Sequence, residues 1–561
     1  MADADSARST SRRAFGRAAA ALGGVVAAWL AGIARPSRAT EPGPLARDPR
    51  TRAAGPPPPR TGRRIDVRAR GAAGDGKKDD TAAIQRALDE ARGGGTVVLP
   101  AGRFLAATLH LRDGVTLRLE REAVLLGHPD DEPYDPVEEL PYRTGSDVET
   151  SDGRFALLAG RGIEGVTIEG EGTIDANRTS RGGPKPVAFK QCRAVRVRGI
   201  RIVNSPNYAL SFMGCDGIDV EGVTIENSFA DGIDPDCCRN VRIADCRVDS
   251  VDDGICLKAS LALGERLSTE HVEIHGCTIR SSSNALKLGT ESSGDFRDIS
   301  IRDCRAVYRP PRNLFEQVGA EGGGIALEMV DGGTLEDVTV ERIAIEGVPT
   351  PIFVRLGNRG REQHPPRTGR LRNVTVRGIR ATGASYASSI SGLPEAPAQG
   401  VHLVDVRIAL ADGLPHGRLP SRLDAIPERA DAYPSPRMFG TLPAAGLYCR
   451  HVEALRLEDL HLKGSAADQR PVLVADDLRG GWIEGLRVES MSGPGPIVWL
   501  AQARNIALRG ARAPAGTGVF LRVSGARSAE IELAGGDMSA AARPVELGPG
   551  VAPDAVRKRA D

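Results

Sequence analysis

Aromatic side chains are scarce in this chain: Phe, Trp and Tyr together make up 4% of 561 residues. Any platform that stacks flat rings must therefore be sparse. An excess of one charge sign is also missing. The formal net charge is +1, which gives no reason to expect nucleic acid or an anionic membrane as a partner. No Cys-x-x-Cys pair and no His cluster marks a metal site, so neither metal nor cofactor is expected. Long apolar runs are absent apart from Ala18–Ala34, and that run contains three Gly, marginal for a membrane span.

The residues around this run give it a different meaning. Ser11-Arg12-Arg13-Ala14-Phe15 precedes it, and Ser37-Arg38-Ala39 comes after it with the small-x-small form of a cleavage site. The arrangement resembles a twin-arginine export signal. Residues 1–39 are therefore expected to be an export signal read by the Tat translocase, with a periplasmic or extracellular destination. No Cys follows the run, so no stable membrane anchor is expected. Residues 40–64, with Pro56-Pro57-Pro58-Pro59, read as a Pro-rich linker.

The nine Cys are an odd number for an exported protein. Cys192, Cys215, Cys238, Cys246, Cys277 and Cys304 follow a repeat, which points to free thiols stacked in a core. A pairing of Cys237 or Cys238 with another coil stays open.

The repeat is the main organising signal. From about residue 160, an apolar-x-apolar unit recurs after a few polar or small residues. Its anchors are Val166, Val195, Ile218, Val241, Val272, Ile299, Val338 and Val374, at steps of 29, 23, 23, 31, 27, 39 and 36. Later anchors fall at Leu455, Ile483, Ile506 and Ile531. Alternation of period two within a repeat of this length means a strand-rich solenoid, and the 67 Gly supply turns at the breaks. The leucine-rich-repeat signature is missing. The expected fold is all-β, a right-handed parallel β-helix over residues 65–545 with a tail at 546–561, forming one elongated monomer. A short helix from Asp80, read as its N-cap, to about Ala91 is suited to plug the open end. Residues 410–445 break the period, are rich in Pro, and carry Tyr433, Met438 and Phe439. They read as an insertion over the coils, either a binding element or a structural flap.

Within the repeat, Asp231-Gly-Ile-Asp-Pro-Asp is followed one coil later by Asp252-Asp253-Gly-Ile-Cys-Leu-Lys258. Neighbouring strands of a solenoid lie about 4.8 Å apart, so Asp231, Asp252 and Asp253 would crowd one patch. Like charges that close raise one pKa. An acid that keeps its proton beside ionised bases is what glycosidic hydrolysis needs. A ladder of carboxylates capping backbone N–H groups between coils is the structural alternative. Asp234 and Asp236, flanking Pro235, read as turn formers, and Asp175, Asp219 and Asp245 have no evident partner.

These blocks resemble glycoside hydrolase family 28, the polygalacturonase-like enzymes. Gly172-Thr173-Ile174-Asp175 resembles the family's first-coil motif. Gly71-Ala72-Ala73-Gly74-Asp75-Gly76 with Asp79-Asp80-Thr81 resembles the N-terminus of the wider pectate-lyase-like group. The resemblance implies an inverting hydrolase of a pectin-like polysaccharide or oligosaccharide. In it, Asp252 protonates the leaving oxygen, and Asp231 and Asp253 activate water. Lys258 matches the family's Lys after the paired Asp, as charge balance or a substrate contact. Lys287 and Arg355 could bring positive charge to substrate.

The chain departs from the family pattern in three places. Phe229 replaces an Asn, Ser283 stands in the register of a His, and Ala326-Leu327-Glu328 stands where an Arg-Ile-Lys element would grip a uronate. A polysaccharide lyase on the same fold and a non-catalytic glycan-binding β-helix are the competing readings.

Overall fold

The computed structural model describes residues 62–559, apart from 314–315, 317–321, 362, 364, 412–421, 465–467 and 492–493. The expected export signal and nearly all of the linker lie outside the described residues.

The strands return coil after coil and pair in parallel with their counterparts one coil away. The apolar anchors form one ladder: Val195 pairs with Ile218, Ile218 with Val241, Val241 with Val272, then Ile299, Val338 and Val374 in turn. All are buried in one continuous core. A fully buried aliphatic side chain of this kind stabilises by roughly 1.5–3 kcal/mol, and the period of two sends every second residue inward.

The ladder corrects two anchors and one boundary. Val374 continues to Val401, which the repeat reading missed, and the ladder then passes through Gly481 to Ile506 and Ile531. Ile483 is two residues late: it pairs with Leu457 and Leu508. At the other end, Val556–Arg559 pairs with Ala529–Ala534, so the sheet runs past residue 545 into the stretch read as a tail.

Helix α1 (Thr81–Glu90) places Ile84, Ala87 and Leu88 in the core at the N-terminal end. Asp80 does not cap it through its side chain. Its buried carboxylate turns back to accept hydrogen bonds from the backbone N–H groups of Ala73 (2.7 Å) and Gly74 (2.9 Å). Gly74 has φ +64° and its missing Cβ would lie 2.8 Å from the Phe104 ring, which explains a Gly at this point of the motif. All nine Cys are buried and free, and Cys192, Cys215 and Cys238 stack, the backbone N–H of Cys192 directed at the Cys215 sulfur and that of Cys215 at the Cys238 sulfur.

One face of the coils gathers buried charged side chains. Its strands are β1 (Lys185–Lys190), β2 (Leu210–Met213), β3 (Ile233–Asp236), β4 (Ile255–Ala259), β5 (Asn284–Ser292), β6 (Gly323–Met329) and β7 (Thr350–Leu356). Phe189, Phe212, Leu257, Leu288, Leu327 and Val354 point into the core, so Ser211, Asp234, Asp236, Lys258, Lys287, Glu328 and Arg355 point outward. Residues 422–445 pack on this face: Leu423, Ile426, Phe439 and Leu442 cluster with Tyr448 and Val474.

Candidate active site

Asp231, Asp252 and Asp253 come from the turns that lead into β3 and β4. Asp231 Oδ1 accepts the backbone N–H of Asp253 at 3.1 Å, and Asp253 Oδ1 accepts that of Asn284 at 3.0 Å. The ladder alternative is therefore part of the answer: one oxygen of each carboxylate ties a coil to the next. The other oxygen meets an ammonium group. Asp231 Oδ2 is 2.7 Å from Lys258 Nζ, and Asp253 Oδ2 is 2.9 Å from Lys287 Nζ. Asn284 Nδ2 adds a further bond to Asp253 at 2.9 Å.

Asp252 stands outside that ladder. Its side chain keeps 28% of its exposure, and Oδ2 accepts from Arg181 at 2.6 Å. Arg181 also forks onto Glu149 at 2.9 and 2.6 Å. Burial, with the Asp231 and Asp253 charges adding to it, pushes the Asp252 carboxyl up to about 6 despite Arg181. Burial acts the same way on Asp253, but the Lys287 ammonium and the Asn284 amide outweigh it and hold that carboxyl below its ordinary value. Two adjacent carboxyls are thus driven apart, the arrangement that separates an acid from a base.

Further groups complete the patch. Asp234 is not a turn former. It lies in β3, 1% exposed, and shares the Lys258 ammonium with Asp231. Burial and Asp231 push its carboxyl well up, and its Oδ2 is buried without a hydrogen-bond partner. Asp236, in the same strand, accepts from the Ser260 backbone N–H at 2.9 Å and hydroxyl at 2.5 Å. Lys258 Nζ lies 4.0 Å from the centroid of the Tyr208 ring, a cation–π contact in a site with little water. Glu328 is fully buried and its carboxyl is pushed up to about 7, chiefly by burial, with Lys287 opposing. Thr290 donates to its Oε2 at 2.9 Å.

The structure brings Asp231, Asp252, Asp253, Lys258 and Lys287 together. Arg355 has a different task. It is 1% exposed and donates to the carbonyls of Gly392, Glu428 and Arg429 at 3.2, 2.8 and 3.1 Å. It therefore anchors the 422–445 segment instead of lending charge to a ligand. Asp175 and Asp219 also find partners, in Asn204 and in Arg198 and Arg242. The sequence reading did not find Arg181, Glu149 or Tyr208, which come from segments between strands that leave no periodic signal. Asp234 carried a usable signal: a charge three residues after Asp231, inside an apolar strand pattern.

Asp231, Asp253 and Cys256 bring donor atoms within 4.8 Å of one another. The two carboxylates already hold Lys258 and Lys287, and Cys256 Sγ lies 3.0 Å from the Gly289 carbonyl. This donor set does not suit a cation.

A stacked parallel β-helix carrying such a carboxylate patch suits a glycoside hydrolase, and comparison with known proteins bears on the family. Residues 140–307 match the model for glycosyl hydrolases family 28. Residues 64–133 match that for rhamnogalacturonase A/epimerase, pectate lyase-like. A probable polygalacturonase of Vitis vinifera is 27% identical over 371 residues, covering 61% of this chain and 73% of its own. An endo-polygalacturonase of Pectobacterium carotovorum subsp. carotovorum is 22% identical, covering 49% and 71%. In fold, the chain is similar to the hyperthermoactive exopolygalacturonase of Thermotoga maritima, with TM-score 0.51 and 22% identity over 62% of this chain and 87% of that one. Over residues 140–307 the chain matches glycosyl hydrolases family 28, and it is a polygalacturonase-like glycoside hydrolase.

Proposed function

We propose that this protein is an exported enzyme that cleaves a pectin-like polysaccharide or oligosaccharide by inverting hydrolysis. The observation that carries the reading is the split between Asp252, pushed up to about 6, and Asp253, held low beside it. Asp252 gives its proton to the glycosidic oxygen as the bond from that oxygen to the anomeric carbon breaks. A water oxygen bonds to the opposite face of that carbon. The proton released by the water passes to Asp231 or Asp253, each of which retains lone pairs beyond its hydrogen bonds.

The pectin-like substrate is supported by the names of the relatives, and export by the Arg12-Arg13 leader. The local charge argues for a change in specificity within that class. Glu328 stands in the register of the family's carboxylate-gripping Lys, and Lys287 is occupied by Asp253 and, at 3.7 Å, Glu328.

The test is to incubate the mature protein with de-esterified polygalacturonate and with rhamnogalacturonan fragments, following the first-formed anomer by proton NMR. Inverted, saturated reducing ends are expected. Asp252→Asn should lower kcat by about 10²–10⁴-fold with the circular dichroism spectrum unchanged. An unsaturated sugar end would instead assign a lyase. Binding without turnover by the wild type would assign a glycan-binding protein.

A further inference from the structure

We infer that the acid patch lies at the bottom of a blind pocket that accepts the end of a sugar chain, so that the enzyme trims from chain ends instead of cutting within the polymer. This rests on the hydrolase reading above and adds the form of the substrate to it.

A polymer that threads past the acids needs the outward face of the strands to stay open on both sides of the patch. Neither side is open. Toward the N-terminal coils, the outward residues Lys190, Ser211 and Met213 are 4%, 5% and 2% exposed. Lys190 lies under the segment from Glu138 to Asp152, which has left the coil path, while Lys185 donates to Ser211 and Met213 packs against Ala262 and Leu263. Glu138 pairs with Lys190 at 2.7 Å, and Thr150 meets the Tyr208 hydroxyl at 3.3 Å. The carbonyl of Asp152 accepts from Lys185 at 2.6 Å. Further along, Tyr142 donates to the Ala262 carbonyl at 2.9 Å and Thr144 to that of Leu261 at 3.2 Å. The segment therefore crosses from the coil of β1 to that of β4.

Toward the C-terminal coils, Glu328, Arg355 and Tyr448 are 0%, 1% and 0% exposed beneath residues 422–445. Arg355 pins that segment through the carbonyls of Glu428 and Arg429.

A chain of charges bridges the two covers beside the acids. Asp147 of the first pairs with Arg361 at 2.7 Å, and Arg361 reaches Glu291 at 3.4 Å. Glu291 also faces Arg359 at 3.7 Å, and the Arg359 guanidinium lies 5.8 Å from the ring of Tyr433 in the second cover. This chain of charges closes the passage on the side of β5 and β7. Among the described residues, Asp252, Arg181 and Tyr433 mark the mouth that remains, with exposures of 28%, 45% and 55%. A single terminal residue can enter such a mouth, whereas an internal residue would need its neighbours to leave on both sides.

Each turnover then consumes one water and frees one short product carrying a new reducing end. The test uses the wild-type protein on polygalacturonate and on rhamnogalacturonan polymer, sampling the first few per cent of hydrolysis. One product of fixed, short length is expected from the outset, with viscosity falling far more slowly than reducing ends appear. A ladder of intermediate lengths with an early loss of viscosity overturns the inference and leaves the hydrolase reading intact. If neither polymer nor its oligomers yields any product, the pectin-like reading fails and this inference fails with it.

Discussion

Two faces of the same solenoid carry dense charge, and they use it in opposite ways. On the face that includes Arg193–Arg198, Asp216–Glu221, Arg239–Ala244 and Thr269–His275, one outward position reads Arg196, Asp219, Arg242, Glu273 up successive coils. The sign alternates at every step, so each charge has an opposite neighbour one coil away, and most of these pairs stay partly in water. On the face carrying β3 to β6, carboxylates gather instead. Asp231, Asp234, Asp252, Asp253 and Glu328 share Lys258, Lys287 and Arg181. The same backbone spacing therefore gives mutual neutralisation in one place and a surplus of buried acid in the other. Burial, with the surplus charge of Asp231 and Asp253 adding to it, raises the Asp252 carboxyl to about 6.

The largest effect expected from breaking this contrast is at Lys258. Lys258→Met leaves Asp231 and Asp234 buried without their cation, which should cost about 3–5 kcal/mol in urea unfolding at neutral pH. The pH dependence comes from the shift at Asp234. A carboxyl whose folded pKa lies above its unfolded value binds more protons when folded, so stability falls as pH rises through that interval. The variant should therefore recover stability as pH is lowered. A loss below about 1 kcal/mol, or one independent of pH, would show that Lys258 does not offset these charges.

Next comes Arg181, which among the described residues is the cation bonded to the acid itself. The acid must hold its proton, so wild-type kcat is expected to decline as pH rises past about 6. Arg181 opposes the upward shift of Asp252. Arg181→Gln should move the declining limb to higher pH while the acidic limb stays in place. A uniform drop in kcat with the limb unmoved would mean that Arg181 positions Asp252 without tuning it.

The contrast also explains what could be read from the sequence. Repetition leaves a record: apolar anchors separated by whole coils specified the ladder from Val195 to Val374, because a parallel stack places residues one coil apart side by side. The record fails where a coil needs no side chain. Gly481 holds the anchor position with φ +125°, and a Cβ there would lie 1.9 Å from the Leu455 carbonyl oxygen. With no apolar residue to mark it, the pattern pointed to Ile483. At the site, Asp231, Asp252 and Asp253 were legible because they keep the coil spacing. Arg181 meets Asp252 across 71 residues from an irregular segment, a contact with no periodic trace. Asp234 was misread because Pro235 beside it resembles a turn, yet Pro235 sits in register with Phe212 in the strand ladder. A Pro within a strand ordinarily argues against that assignment.

The smallest effect, and the control for the whole comparison, is on the alternating face. Arg242 donates to Asp219 at 2.8 Å and to Glu221 at 3.2 Å, but Asp219 keeps Arg198 as a second partner. Its side chain is 30% exposed, so water replaces much of what the pair supplies. Arg242→Ala should therefore cost about 0.2–1 kcal/mol, a loss that shrinks further in 1 M salt, where the Debye length falls to about 3 Å. Turnover should match that of the wild type, since no acid of the patch touches this ladder. Urea unfolding at two salt concentrations and one activity assay measure both. If Arg242→Ala proved as damaging as Lys258→Met, pairing across coils would matter more than burial, and the distinction between the two faces would collapse. If the cost is small and salt-sensitive, burial is what turns an ordinary charge ladder into a reactive one.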